Sequence, residues 1–250
     1  MLYKNKNPFF IGHRGSPLKY IENTPQSLLC AFNDGADGVE LDVQITNDMQ
    51  IIVFHDDYII DLENKKHIVS DLSYKQINDI YLSIFNEQIF LLIEVIKTLP
   101  PNRIINIEIK SNHINNYRFV NELGKIINEN YNTNFVIVSS FNYASLYQYK
   151  KIFSNTKIGL LSNSFNLFQI CRMTLYKNLI KPDFIHFNHL YLTPRLVKWI
   201  RKNQMQLIVY TVNDEKDLER CLDIGVDGII TDNYNFYNNN LEKDYETSPQ

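Results

Sequence analysis

Two histidines, three carboxylates and two cationic side chains stand where short apolar runs end. His13 and Arg14 close the run Phe9-Phe10-Ile11, and Glu40 and Asp42 lie in the next run. His55 follows the run 51–54, and Glu108 and Lys110 close the one that begins at Ile104. Glu40 and Asp42 are two residues apart, a spacing that sets both side chains on one face of a strand. Two carboxylates so placed repel each other unless a cation neutralises them. With Glu108 as a third and no cysteine nearby, the expected chemistry is oxygen ligation of a hard cation, Mg²⁺ or Ca²⁺. The competing reading is salt bridging to Arg14 and Lys110 without metal. Arg14 can match phosphate oxygens bidentately and Lys110 supplies a point charge. Histidine exchanges protons near neutral pH, so His13 and His55 facing one phosphate would supply an acid and a base. Of the other histidines, His67 and His113 fall in polar stretches and read as solvated. His186 lies within a strand and reads as core-facing; His189, just beyond that strand, is a candidate for lining the pocket.

These residues need elements to hold them together. Expected strands cover 9–13, 38–43, 104–110, 135–139, 157–161, 184–187, 206–211 and 228–231, with a further short one at 51–54. Helical patterns fill the gaps at 24–34, 117–130, 143–153, 165–176, 194–203 and 215–224. Thr24-Pro25 reads as an N-cap followed by Pro in the first turn, and Gly225 as a helix stop. Strand–helix alternation points to a parallel sheet covered by helices. Near-continuous apolar strands such as 104–107 suit burial on both faces. No glycine fingerprint follows the first strand, which weakens a dinucleotide-binding reading. The fold class expected is therefore α/β: a single (β/α)8 TIM-like barrel with a short insertion after the second strand. In such a barrel the C-terminal strand ends ring one mouth, so the dispersed polar residues converge. The insertion, about 56–101, carries helical patterns at 73–80 and 89–99. The barrel domain is expected over 1–236, and the polar stretch 237–250 as a disordered tail.

The chain has 250 residues, the size of one such barrel, and a net charge of −3. That balance gives no reason to expect nucleic acid as a partner. Three cysteines, Cys30, Cys171 and Cys221, form no disulfide framework and read as small buried hydrophobes. No apolar run is long enough for a transmembrane segment and no signal-peptide core is visible, so a cytoplasmic protein is expected. Nothing in the patterning sets an oligomeric state.

The motif set resembles the glycerophosphodiester phosphodiesterase family. The resemblance rests on His13-Arg14-Gly15 with Glu22-Asn23-Thr24, on Gly35 to Val43 with Thr46 and Asp48, and on Val53-Phe54-His55-Asp56. Glu108-Ile109-Lys110, Ser140-Phe141, Asn188-His189, Thr211 to Asp214 and Gly225 to Asp232 continue it, so that it runs from about Phe9 to Tyr234. It implies His13 and His55 as the acid–base pair, Glu40, Asp42 and Glu108 as metal ligands, and Arg14 and Lys110 as phosphate contacts. It also implies a metal-dependent hydrolysis of small glycerophosphodiesters to glycerol 3-phosphate and an alcohol. Tyr210 stands where the family often has Trp, among positions expected to contact substrate, and the Arg-Thr-Thr and Gly-rich stretch that often follows the second histidine is absent from 57–66. These departures bear on substrate identity, not on the acid, base or metal positions. The rival readings are a lysophospholipase D-type barrel acting on a lipid headgroup and a non-catalytic barrel that binds a phosphorylated ligand.

Overall fold

The computed structural model describes residues 8–111 and 116–234. Eight parallel strands close into a barrel: β1 (Phe9–Gly12), β2 (Gly38–Ile45), β6 (Ile104–Ile109), β7 (Val136–Ser140), β8 (Lys157–Ser162), β9 (Phe184–Asn188), β10 (Gln206–Tyr210) and β11 (Gly228–Thr231). Closure comes from β1, which pairs with β11 on one side and β2 on the other. The helices α1 (Pro25–Asn33), α4 (Tyr117–Asn130), α5 (Tyr143–Ile152), α6 (Leu167–Ile180), α7 (Pro194–Lys202) and α8 (Glu215–Ile224) alternate with strands as the periodicity predicts. Thr24 caps α1 by accepting from the Ser27 N–H, and Gly225 ends α8 in the left-handed region at φ 75°.

Alternation along each strand sorts the side chains. Val39, Leu41, Val43, Ile105, Ile107 and Ile109 point outward and join the main core under the helices. The inward set is layered. Phe9, Ile11, Ile104, Ile137, Phe184, Ile208 and Ile230 fill the barrel as an apolar plug. Above it, towards the C-terminal strand ends, the inward positions turn polar: Glu40 and Asp42 on β2, Asn106 and Glu108 on β6, Ser139 on β7 and His186 on β9. Thus the plug supplies the rigidity and the upper layer the chemistry.

β2 runs beyond the rim and pairs antiparallel with β3 (Ile51–Val53), which delivers Phe54, His55 and Asp56 to the mouth. Residues 56–101 then divide. α3 (Leu92–Thr98) packs Leu92, Val95 and Ile96 into the main core and serves as a barrel helix. The rest builds a satellite: a hairpin of β4 (Tyr58–Ile60) and β5 (Lys66–Ile68), then α2 (Tyr74–Phe85), around Ile52, Ile59, Val69, Ile77, Tyr81 and Ile89. The hairpin strands are three residues each, too short for a clear period-two pattern.

Two expectations are corrected. Only Cys221 is buried; Cys30 is half-buried and Cys171 exposed. Cys171 is one turn from both Leu167 and Leu175, exposed residues on the outward side of α6. His67 is not free in solvent: it crosses the hairpin to Asp61, 2.7 Å away. His113 and the segment 237–250 lie outside the described residues. Among the described residues no helix is long and apolar enough to cross a membrane.

Candidate active site

The loop after β1 sets the first half of the site. Gly15 sits at φ 91° with its Cα against α1, where a Cβ would come 2.4 Å from the Ser27 carbonyl carbon. Only glycine accepts both the left-handed conformation and that contact. Arg14 and Asn23, neither a glycine, are also left-handed, at φ 52° and 61°. Strain of this kind persists where surrounding contacts over-determine it, and here they do. The Arg14 N–H donates to Glu40 Oε2 at 2.9 Å, and the Arg14 carbonyl accepts from Asn23 N–H and Ser27 Oγ. Asn23 Nδ2 in turn donates to Asp42 Oδ2 at 3.0 Å, while its Oδ1 accepts from Asp42 N–H.

Glu40, Asp42 and Glu108 converge at the centre, with one carboxylate oxygen of each within 4.8 Å of the others. All three are buried. Burial first, then repulsion from Asp42, lifts Glu108 to about 7 and lifts Glu40 well above the usual carboxylate range. Arg14 Nε stands 3.2 Å from Asp42 Oδ2, but its Nη1 turns away to Glu22 at 2.7 Å. Lys110 Nζ lies 3.1 Å from Glu108 Oε1 and 3.8 Å from Asp42 Oδ1. Burial works against both cations' charges, yet the facing carboxylates outweigh it and raise both pKa values. Even so, Glu40 Oε1 is buried with no hydrogen-bond partner among the described residues. An all-oxygen trio, partly uncompensated and with an orphaned oxygen, fits a hard divalent cation by its donor chemistry.

The two histidines are each backed by a carboxylate. His13 Nδ1 is 2.7 Å from Asp232 Oδ1, and Asp232 is fixed by Asn213 through Nδ2 at 2.6 Å. His55 Nδ1 is 2.7 Å from Asp56 Oδ1. With Nδ1 engaged, Nε2 is the ring nitrogen left for proton exchange in both. The positioning groups Asp232, Asp56, Asn213 and Asn23 gain roles that residue type alone did not assign; adjacency to His55 was a signal only for Asp56.

One cavity of about 410 Å³ is lined by all nine sequence-predicted residues: His13, Arg14, Glu40, Asp42, His55, Glu108, Lys110, His189 and Tyr210. His189 is a buried wall residue tied to Arg220 through Nδ1 at 3.1 Å, and burial lowers its pKa. Tyr210 donates to the Ser162 carbonyl at 3.1 Å and meets Phe141 edge to face. Beside this cavity lies a second, about 840 Å³ and mostly apolar, between the 17–22 loop and the satellite. Phe54, Asp56 and Glu22 line it, so His55 stands between the two.

Chemistry of this kind at the carboxyl end of a closed barrel is that of a TIM-barrel phosphoester hydrolase. Comparison narrows the class. Residues 13–235 match the model of the glycerophosphoryl diester phosphodiesterase family. A glycerophosphodiester phosphodiesterase of Caldanaerobacter subterraneus subsp. tengcongensis is 35% identical, over 89% of this chain and 93% of its own length. One from Bacillus altitudinis is 33% identical over 88% and 92%. The crystal structure of a glycerophosphodiester phosphodiesterase from Thermotoga maritima superposes with TM-score 0.77 at 26% identity, covering 94% of this chain and 99% of that one. The chain belongs to the glycerophosphoryl diester phosphodiesterase family. Membership sets it among enzymes, the phosphoric diester hydrolases, and not among ligand-binding barrels.

Proposed function

We propose that this chain hydrolyses glycerophosphodiesters to glycerol 3-phosphate and an alcohol, using His13 and His55 as an acid–base pair and a divalent cation held by Glu40, Asp42 and Glu108. The observation that carries the reading is the pair of histidines, each backed by a carboxylate, in one cavity with the acidic trio. When bound, Mg²⁺ or Ca²⁺ supplies charge neutralisation at the phosphate. Arg14 and Lys110 supply the protein's own positive charge there, with His189 and Tyr210 as further substrate contacts on the wall. His13, fixed by Asp232 and Asn213, takes at Nε2 the proton of the nucleophile. That nucleophile is either water, which gives glycerol 3-phosphate directly, or the glycerol 2-hydroxyl, which gives a cyclic phosphate that water then opens. His55 borders the apolar groove through Phe54 and Asp56, the side open to a departing alcohol, and gives that alcohol its proton. Release of glycerol 3-phosphate from glycerophosphocholine tests the reading; no release by folded, metal-supplied protein overturns it.

Lys110→Ala should lower kcat/KM by about 10²–10³, the range for losing one charge stabiliser of a transition state. Its side chain spans Glu108 and Asp42, so steady-state kinetics at saturating metal separate a phosphate role from trio balancing. Near-normal kinetics would reassign Lys110 as a structural counter-charge.

The groove favours a second reading. A lysophospholipase D from Homo sapiens is 26% identical over 93% of this chain, and the apolar cavity beside His55 is large enough to receive an acyl chain. The pose is then reversed from the first: the lipid's glycerol faces the groove and the headgroup alcohol leaves on the far side, where His13 would protonate it. Relatives named for glycerophosphodiesters are the more similar, so the first reading stands. Glycerophosphocholine is therefore expected to be the better substrate; a higher kcat/KM on lysophosphatidylcholine would exchange the two.

A further inference from the structure

Deep in the barrel lie polar atoms that the protein leaves unpaired. Asn106 Oδ1, Ser139 Oγ and both ring nitrogens of His186 have no hydrogen-bond partner among the described residues. All three side chains are at most 1% exposed. They form one arc across neighbouring strands. Asn106 precedes Glu108 by two on β6 and so faces inward one step further down. Ser139 on β7 is opposite Glu108, and Gly159 on β8 is opposite Ser139. The His186 ring, from β9, lies over Gly159: a Cβ there would come 2.6 Å from its Nε2. Asn106 and His186 both line the cavity that carries the histidine pair and the trio.

Native interiors pair nearly all buried polar atoms, because an unpaired one is costly. Four of them in one arc, three on residues that line a substrate-sized cavity and the fourth, Ser139 Oγ, on the strand next to Asn106, point to a partner that enters from outside. The arc also says what that partner is like. It carries no full charge: burial pushes the His186 pKa down to about 3, so one ring nitrogen donates and the other accepts. Asn106 and Ser139 are neutral as well. Anionic and cationic groups are matched at the rim instead, by Arg14, Lys110 and the carboxylates. A neutral group that both donates and accepts is a hydroxyl, and Leu161 and Ile230 beside it suit a short carbon skeleton.

We infer that the Asn106–Ser139–His186 arc binds the terminal hydroxyl of a polyol and thereby selects glycerol-bearing phosphates over alkyl ones. The inference rests on the hydrolase reading above and gives the bound substrate a direction. Its free hydroxyl points down to the arc, its phosphate stands at the rim, and its leaving alcohol faces the groove beside His55.

Calorimetric binding to the full chain in Mg²⁺ tests this with two probes, sn-glycerol 3-phosphate and 2-hydroxypropyl phosphate, which has a methyl in place of the terminal hydroxymethyl. Wild type should bind the first about 10–100-fold more tightly, the range expected when a hydroxyl-binding site is left unpaired. In His186→Phe, which keeps a ring beside Phe184, the ratio should fall to within about threefold of unity. Ser139→Ala should lower it in part and carries the test if His186→Phe does not fold. Equal affinities in wild type, or an undiminished ratio in the folded variants, would show that the arc serves fixed water and would overturn the inference. Failure of wild type to bind either probe would count against it too. Because no turnover is needed, a retained ratio without hydrolysis of any glycerophosphodiester would sink the hydrolase reading and leave the arc assigned.

Discussion

Chelation of divalent cations is expected to abolish glycerophosphodiester hydrolysis by this chain, and Mg²⁺ or Ca²⁺ to restore it. Three buried carboxylates face each other; among the described residues Arg14 and Lys110 are the cations that ion-pair with them, and Arg14 shares its charge with Glu22. In the metal-free protein this leaves Glu108 titrating near 7 and Glu40 well above its usual range. A sign follows for stability. Between about 4.5 and about 7 the native state holds protons that the unfolded chain has released, so metal-free stability falls as pH rises through that window. The slope approaches about 1.4 kcal/mol per pH unit for each such group. Thermal melts of chelated protein at about pH 6.5 and about pH 8, above the range in which buried, neutral His186 adds stability as pH rises, should show the lower Tm at the higher pH. Added cation should reverse the order, because it binds the deprotonated trio. Full turnover after exhaustive chelation, with metal content measured, would remove the cation from the reaction.

The same residues show what a sequence can and cannot disclose. β2 was legible to the side chain, since two carboxylates two apart in an apolar strand can only share a face. So was the barrel, because apolar strands alternate with helical patterns, most strand ends carry a polar group, and caps such as Thr24 and Asp214 mark where helices begin. What escaped notice depends on contacts far apart along the chain. Asp232 reaches His13 across 219 residues, and Asn23 reaches Asp42 from a left-handed turn that no period announces. The satellite hairpin was invisible for another reason: its three-residue strands draw their stability from Ile59 and Val69 packing on α2, not from a pattern of their own. His186 read as a core residue and is one, yet only the closed barrel reveals that neither of its nitrogens finds a partner among the described residues.

His13→Ala and His55→Ala should each leave a folded protein whose kcat is down by about 10²–10⁴, the usual worth of one positioned acid or base. A phosphodiester has a poor alkoxide leaving group and meets a weak nucleophile, so it needs a proton delivered at one end and removed at the other. Both rings are suited to this, each having Nδ1 2.7 Å from a carboxylate and Nε2 left for exchange. The double variant should lose clearly less than the product of the two single losses, because the pair acts as a unit. A nitrophenyl phosphodiester separates the roles. Its leaving group departs without protonation, so it should rescue the variant that lacks the acid and not the one that lacks the base. Since His55 borders the groove through its neighbours Phe54 and Asp56, rescue is expected for His55→Ala. Rescue of His13→Ala instead would swap the assignments. Rescue of neither, in folded and metal-loaded variants, would sink the acid–base pair and leave charge stabilisation by Arg14, Lys110 and the cation to carry the reaction.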